Sequence, residues 1–422
     1  MAPAHPGLAP ARTTLANGVV LLAKETRTTP AVTINLAMRA GSICDPDDAP
    51  GATFLLSRTI DRGTATRSAE QIAEELDNHG ITLTITVTRH IFSMVCTCLA
   101  EDFDAVFALL GDIIMSPTLP ESELATRKGE VITAIRQDDD NPAVRATESL
   151  MALLYEKHPY GHRLKGTVAD VEALTRARLV DLHARRFAPG ELIAVVVGDV
   201  APSHAADAAQ RIFGAWRTPP PPPIQVAHVR PPDARRRLVI PMMNKSQADI
   251  AYGFVAIARR DPGYHAYWLM NNALGQYAIG GRLGDSIRER QGMAYYVSSS
   301  LDANVVEGPL AIRAGVGPAN VDRAIASIDE ELIRLTADGL TEKEFDESRR
   351  YLIGSMPRRL ETNDGIAAFL LGLEFFDLGL DYDVRMPSLL AAVTLDDTLA
   401  AARALLDPAR ATVVVAGPYG AS

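Results

Sequence analysis

Three cysteines in 422 residues are too few for a disulfide framework. They stand at Cys44, Cys96 and Cys98, and the last two, spaced by one residue, share a face if they lie on a strand. Two thiolates do not complete a tetrahedral zinc shell, so buried structural thiols are expected. No apolar run approaches the ~20 residues of a membrane span. Residues 1–18, MAPAHPGLAPARTTLANG, lack the basic start and apolar core of a secretory signal. The expected setting is therefore the cytoplasm, away from any membrane, or the periplasm if a leader has been cleaved. Excess positive charge is missing too: 42 Lys and Arg face 52 Asp and Glu, a net −10, and the short run Arg235-Arg236-Arg237 leads directly into an apolar strand. Nucleic acid is not an expected partner. What remains is an ordinary globular composition, 47% hydrophobic and 22% charged, with apolar material for more than one core.

The chain is written twice. A stiff spacer, TPPPPP at residues 218–223, can neither continue a helix nor enter a central strand, and it divides the sequence nearly in half. Residues 119–135, LPESELATRKGEVITAI, align without a gap on residues 340–356, LTEKEFDESRRYLIGSM, so that Glu121 meets Glu342, Glu123 meets Glu344 and Ile132 meets Ile353. Residues 174–198 align in the same way on 393–417. Two copies of one domain follow, an N-terminal domain at 1–217, a Pro-rich linker at 218–230 and a C-terminal domain at 231–422.

Within a copy, residues 14–24 and 31–40 alternate like half-buried strands, and SAEQIAEELDNHG places Ile72, Ala73 and Leu76 at helical spacing before Gly80. ITLTITVTRHIFSMVCTCLA reads as a hairpin, and the apolar runs 192–197 and 411–415 as strands that finish each domain. Strands followed by a block of helices predict an α+β fold, each domain a mainly antiparallel sheet with helices packed on one face.

GATFLLSRTIDRGT, residues 51–64, has the frame of a metal-binding helix without the ligands. With GSICDPDDAP before it, HPYGHRLKGT at 158–167 and the 281–297 segment after it, the whole chain resembles the inverzincin zinc peptidases, the pitrilysin and mitochondrial-processing-peptidase family, in their short two-domain form. The resemblance implies an inverted motif, His-x-x-Glu-His, on this helix. Two imidazoles at i and i+4 would share a face and bind zinc, and the carboxylate at i+3 would take a proton from bound water. Those positions hold Phe54, Ser57 and Arg58. A ring without a lone pair, a weakly basic hydroxyl and a permanent cation cannot bind zinc. The distal glutamate that completes the family's shell falls on Ala134, beside Thr133; Glu130, one turn away, would hold zinc poorly alone. No metal site or cofactor is expected in this chain.

The resemblance also implies an arginine and a tyrosine that reach substrate from the second domain. In GGRLGDSIRERQGMAYYVSSSL these match Arg282 and Tyr295. A rigid fork of donors and one hydroxyl suit a peptide carbonyl and its developing oxyanion. The plainer alternatives are an Arg282–Asp285 pair one turn apart and an ordinary strand aromatic. Tyr296 points to the opposite face and reads as structural. Family members often carry Ser-Ser where this chain has Gly280-Gly281, a departure that leaves room for a shifted backbone and a looser pair. Gly280-Gly281-x-x-Gly284 fits neither nucleotide fingerprint and reads as a turn. His158 and His162 are separated by Pro159 and Gly161 and read as a packing loop; Asp138-Asp139-Asp140 before Asn141-Pro142 reads as a helix entry.

The resemblance thus implies the non-catalytic subunit of a heteromeric zinc peptidase, with zinc in a homologous catalytic partner and a peptide as substrate. An assembly subunit of the core-protein type with no part in proteolysis is the alternative.

Overall fold

The computed structural model describes residues 7–276 and 281–420. Its first sheet has six strands: β1 Ala11–Thr14, β2 Val20–Glu25, β3 Ala31–Met38, β4 Thr84–Val87, β5 Phe92–Leu99 and β6 Leu192–Gly198. Their order is β1-β2-β6-β3-β5-β4, antiparallel throughout except for the parallel β2–β6 pair. The second sheet consists of β7 Arg236–Pro241, β8 Ala248–Val255, β9 Ala294–Leu301, β10 Pro309–Val316 and β11 Thr412–Gly417. Its order, β7-β11-β8-β10-β9 with β7–β11 parallel, repeats the first sheet from β2 to β4. The α+β fold and its duplication are thereby borne out at the level of strand pairing.

Local chemistry explains the matching helices. The helices Arg176–Arg186 and Leu395–Leu405 both start behind a threonine, Thr175 or Thr394, whose hydroxyl accepts from the N–H three residues on. Both are followed by a short Pro-started turn, Pro189–Glu191 or Pro408–Arg410, and then by the buried strands β6 and β11. The helix Ala69–Asn78 opens with a capping box from Ser68 and Gln71 and closes before Gly80, whose φ of +62° suits glycine.

Two expectations change. Residues 14–24 are a hairpin rather than one strand: β1 ends at Thr14, the Leu15 N–H donates to Val19 at 2.9 Å, and Gly18 turns the chain with φ +94°. Alternation runs on through such a turn, which is why the pattern concealed it. The compact units also do not follow the sequence halves. One comprises residues 1–136, 163–225 and 357–384, the other 137–162, 226–356 and 385–422. Within the first, the helix Asn363–Phe375 packs on β6 and β3; within the second, Pro142–Tyr155 packs on β8 and β11. These two helices occupy corresponding places in the duplication, so each half lends one helix to the other's sheet. Gly253 on β8 lacks a side chain where one is needed least, since a Cβ there would lie 2.8 Å from Leu150.

Candidate functional site

The helix that would carry the metal motif, Ala52–Thr59, begins at Gly51 with φ +84°. Asp45 holds that turn: its carboxylate accepts from the Gly51 N–H at 2.8 Å, the Thr53 N–H at 2.7 Å and the Thr53 hydroxyl at 2.5 Å. Burial nonetheless pushes its carboxyl up to about 6, outweighing the three hydrogen bonds. Further along, Ser57 is buried and its hydroxyl donates to the Phe54 carbonyl at 2.6 Å. Arg58 is exposed and lies 5.0 Å from the centre of the half-buried Phe54 ring, while the Lys165 ammonium stands 5.9 Å from the same ring. Two cations thus stand over the ring at the first of the three motif positions.

Ala134 is half-buried on the long helix Glu121–Asp139, and the neighbouring Thr133 hydroxyl donates back to Gly129 at 2.9 Å. Glu130 is taken: Arg127 grips its two oxygens at 2.6 and 2.7 Å and reaches Glu123 at 3.4 Å. Among the described residues, no three or more His, Cys, Asp or Glu side chains converge as a metal would require. Cys44, Cys96 and Cys98 are free, buried thiols, pushed by burial up to about 12, 12 and 11 respectively, far from a thiolate at neutral pH. His158 spends both nitrogens locally, Nδ1 accepting from the Tyr160 N–H at 3.1 Å and Nε2 lying 3.0 Å from the Ala227 carbonyl. Asn141 caps the Pro142–Tyr155 helix through the Ala143 and Val144 N–H groups.

In the C-terminal unit, Arg282 sits at the start of a helical stretch that continues as the π-helical turn Gly284–Arg290; Gly280 lies outside the described residues. Its guanidinium is bound on two sides. Nε donates to Glu344 Oε1 at 2.6 Å, and Nη2 donates to Glu344 Oε2 at 2.8 Å and to the Gly339 carbonyl at 2.7 Å. The expected neighbour Asp285 pairs instead with Arg290 at 2.9 Å. With the Arg282 side chain 11% exposed, the fork is not open for bidentate recognition; Nη1, buried and unpartnered, is its one spare donor group. Glu344 also completes a capping box, accepting from the Thr341 N–H and hydroxyl, each at 2.8 Å. Burial raises its carboxyl, but Arg282 and Thr341 together hold it below the usual range.

Tyr295 lies on β9, an edge strand, with 68% of its surface exposed and no hydrogen bond from its hydroxyl to another described residue. No hydrogen bond links it to Arg282. Tyr296, on the other face, donates to Asp249 at 2.6 Å and lies over Gly315, where a Cβ would come within 2.5 Å of the ring. Burial and the Asp249 carboxylate raise its phenol well above the usual value. Sequence reasoning missed Glu344, 62 residues from its partner, and also Asn271 and Asn272, both completely buried. A polar pair inside the apolar run WLMNNALG was the available signal for the latter.

The vestigial metal helix and the duplicated sheets define a peptidase-type fold, and the comparisons agree. Residues 20–168 match the family model described as insulinase (peptidase family M16), and residues 173–352 match the one described as the peptidase M16 inactive domain. This chain belongs to peptidase family M16. It is similar to an uncharacterized zinc protease of Mycobacterium tuberculosis, 26% identical over 99% of this chain and 96% of that one, and to another of Bacillus subtilis, 24% identical over 84% and 85%. Among solved structures, a peptidase M16 inactive domain from Pseudomonas fluorescens superposes with a TM-score of 0.91 at 26% identity, covering 98% of this chain and 100% of its own. A protease from Helicobacter pylori shares the fold at 17% identity and a TM-score of 0.89, over 96% of this chain and 99% of its own. No helix among the described residues is long and apolar enough to cross a membrane.

Proposed function

We propose that this chain is the non-catalytic subunit of a heteromeric M16 zinc peptidase. A homologous partner bearing the inverted zinc motif supplies the metal and general base, and this chain supplies substrate-binding and oxyanion-stabilising donors from its C-terminal half. The observation that carries this reading is the complete replacement of the ligand set, Phe54, Ser57, Arg58 and Ala134, in a chain with an exposed Tyr295 whose hydroxyl has no hydrogen-bond partner among the described residues. Zinc is thus a cofactor of the partner, and peptide is the substrate. A preorganised donor aimed at a developing oxyanion accelerates its formation because the charge meets a dipole already in place.

The test mixes this chain with such a partner and measures peptide cleavage by each alone and by both. Activity is expected only from the mixture or from the partner, and Tyr295→Phe is expected to lower turnover on the order of 10² while assembly is unchanged. Arg282→Ala is a poorer probe, because it also strips a partner from Glu344. Unchanged turnover in the assembled Tyr295→Phe complex would refute the donor role.

The occupied fork of Arg282 favours a second reading, an assembly subunit without a part in proteolysis. Co-purification separates them: the first requires a zinc-motif partner and the second does not.

A further inference from the structure

Every residue from Thr218 to Pro222 is followed by a proline. Each proline ring fixes its own φ and keeps the residue before it out of the helical region, so this run is confined to extended backbone. Exposure identifies the form it takes. Thr218, Pro221 and Ile224 are half-buried, whereas Pro219, Pro220, Pro222 and Pro223 are exposed. A period of three is that of the left-handed polyproline II helix, in which five prolines span about 15 Å. One edge of that helix lies on the protein, and the other two face solvent.

The run is pinned at both ends within the first compact unit. Trp216 and Ile224 pack against the core of that unit, the Trp216 indole N–H donates to the Thr218 hydroxyl at 2.8 Å, and Arg186 Nη1 donates to the Pro222 carbonyl at 2.9 Å. The unit extends to residue 225, so the prolines precede the boundary and are a fixture of its surface instead of the joint itself. A tether needs only length and stiffness, and neither requires one edge to be fixed while two are displayed. The exposed prolines have no N–H with which to enter a sheet. The carbonyls of Pro219, Pro220 and Pro221 accept no hydrogen bond from another described residue.

A rigid ridge of proline rings with free carbonyls between them is complementary to a groove lined by aromatic side chains, whose Trp N–H or Tyr O–H groups donate to those carbonyls. Because the ridge is already ordered, binding it forfeits little conformational entropy. Arg217, Pro220 and Pro223 are spaced by three, and all are exposed. The Arg217 guanidinium spends Nη1 on the Gly214 and Trp216 carbonyls, at 2.7 and 3.0 Å, which holds a cation at the N-terminal end of the ridge. A polyproline II helix offers similar outlines in both directions, and a charge at one end selects one of them. We propose that residues 217–223 are the docking site for a partner protein with an aromatic-lined, polyproline-reading groove that carries a carboxylate opposite Arg217. This goes beyond the proposed function, because neither zinc nor substrate takes part in the contact.

The test titrates the native full chain into a fluorescently labelled SH3 domain that reads Arg-x-x-Pro-x-x-Pro, followed by anisotropy, with a synthetic peptide of residues 216–225 as the reference. The native chain is expected to bind within about tenfold of the peptide's affinity, because the ridge is displayed in the conformation that the groove requires. Pro220→Ala combined with Pro223→Ala, which alters an outward edge, is expected to weaken binding about tenfold or more, and Arg217→Glu to weaken it in the same direction. Pro221→Ala, on the edge that lies against the protein, is expected to change it by less than about threefold. Displacement of the wild-type chain by unlabelled peptide, and not by the peptide with both alanines, reads the same edge without relying on the folding of any variant. A probe that binds the peptide but not the native chain, one that binds neither, or an equal loss in Pro221→Ala and the double variant would each overturn the proposal. None of these outcomes bears on the mixed-subunit assay, since the prolines are remote in sequence from the positions that it probes.

Discussion

The two halves share a strand order and a helix plan, yet they settle the polar atoms of corresponding regions to different degrees. In the N-terminal unit Ser57 bonds back to Phe54, Arg58 and Lys165 rest on a ring, and Glu130 is neutralised by Arg127, whose own Nε is buried and unpaired. In the C-terminal unit the equivalent region keeps more such groups. Asn272 is buried with both amide atoms unpaired, Arg282 has a buried unpaired nitrogen, and an edge strand displays Tyr295. A site released from its chemistry relaxes toward satisfied contacts, because each unpaired buried group costs about 1–3 kcal/mol with nothing to offset it.

The largest effect should come from reversing the loss. Wild-type chain, purified and dialysed, is expected to hold well under about 0.1 zinc per molecule, because isolated carboxylates and a guanidinium give no stable shell. Combining Phe54→His, Ser57→Glu, Arg58→His and Ala134→Glu should raise this to about one zinc per chain, read by elemental analysis, provided that the two helices present those positions to each other as the resemblance implies. Stoichiometric zinc in the wild type would remove the contrast between the halves.

Next in size is a pH effect in which two carboxylates oppose each other. Asp45 in the N-terminal unit titrates near 6 when folded against 3.8 when free, so the folded state binds its proton more tightly. Its contribution is complete below the unfolded value and is lost as pH rises through about 6, a destabilisation of up to about 3 kcal/mol. Glu344 behaves the other way: its folded value is lowered, so its stabilisation is present above the unfolded value of 4.5 and disappears on acidification. Denaturant unfolding from pH 4 to 7 should show Asp45→Asn flattening the decline toward neutrality and Glu344→Gln flattening the loss in acid. If Asp45→Asn leaves the profile unchanged, burial does not dominate at that turn.

Much of this contrast could be read from the chain itself, and the remainder fails for a common reason. The duplication was legible because caps and helix starts recur in register, Thr175 with Thr394 and Glu121 with Glu342. The vacant motif was legible because Phe54, Ser57 and Arg58 occupy positions whose chemistry depends on side-chain type alone. The exchange of Pro142–Tyr155 and Asn363–Phe375 between sheets was not, since an amphipathic pattern specifies that a face is buried and not which strands bury it. Arg282 shows the same limit. Its neighbour in sequence, Asp285, competes with Glu344, and only the fold brings the latter within 2.6 Å. Residue type predicts capacity, while long-range partners decide whether that capacity is already spent.

The smallest expected effects are the most pointed, because they separate adjacent tyrosines on one strand. Tyr296→Phe removes the hydroxyl that donates to Asp249 at 2.6 Å, and Asp249 is 2% exposed, so its carboxylate keeps only the two longer contacts of 3.2 Å from Gln247. A loss of about 1–2 kcal/mol follows from leaving a buried charge less well paired. Tyr295→Phe removes a hydroxyl that faces outward from the same strand, and its effect on the stability of the isolated chain should lie within about 0.5 kcal/mol. Paired urea titrations of the two variants read the difference directly. A stability loss in Tyr295→Phe equal to that of Tyr296→Phe would mean that its hydroxyl serves the fold, and any fall in turnover of the assembled complex would then lose its meaning as a mark of contact with substrate.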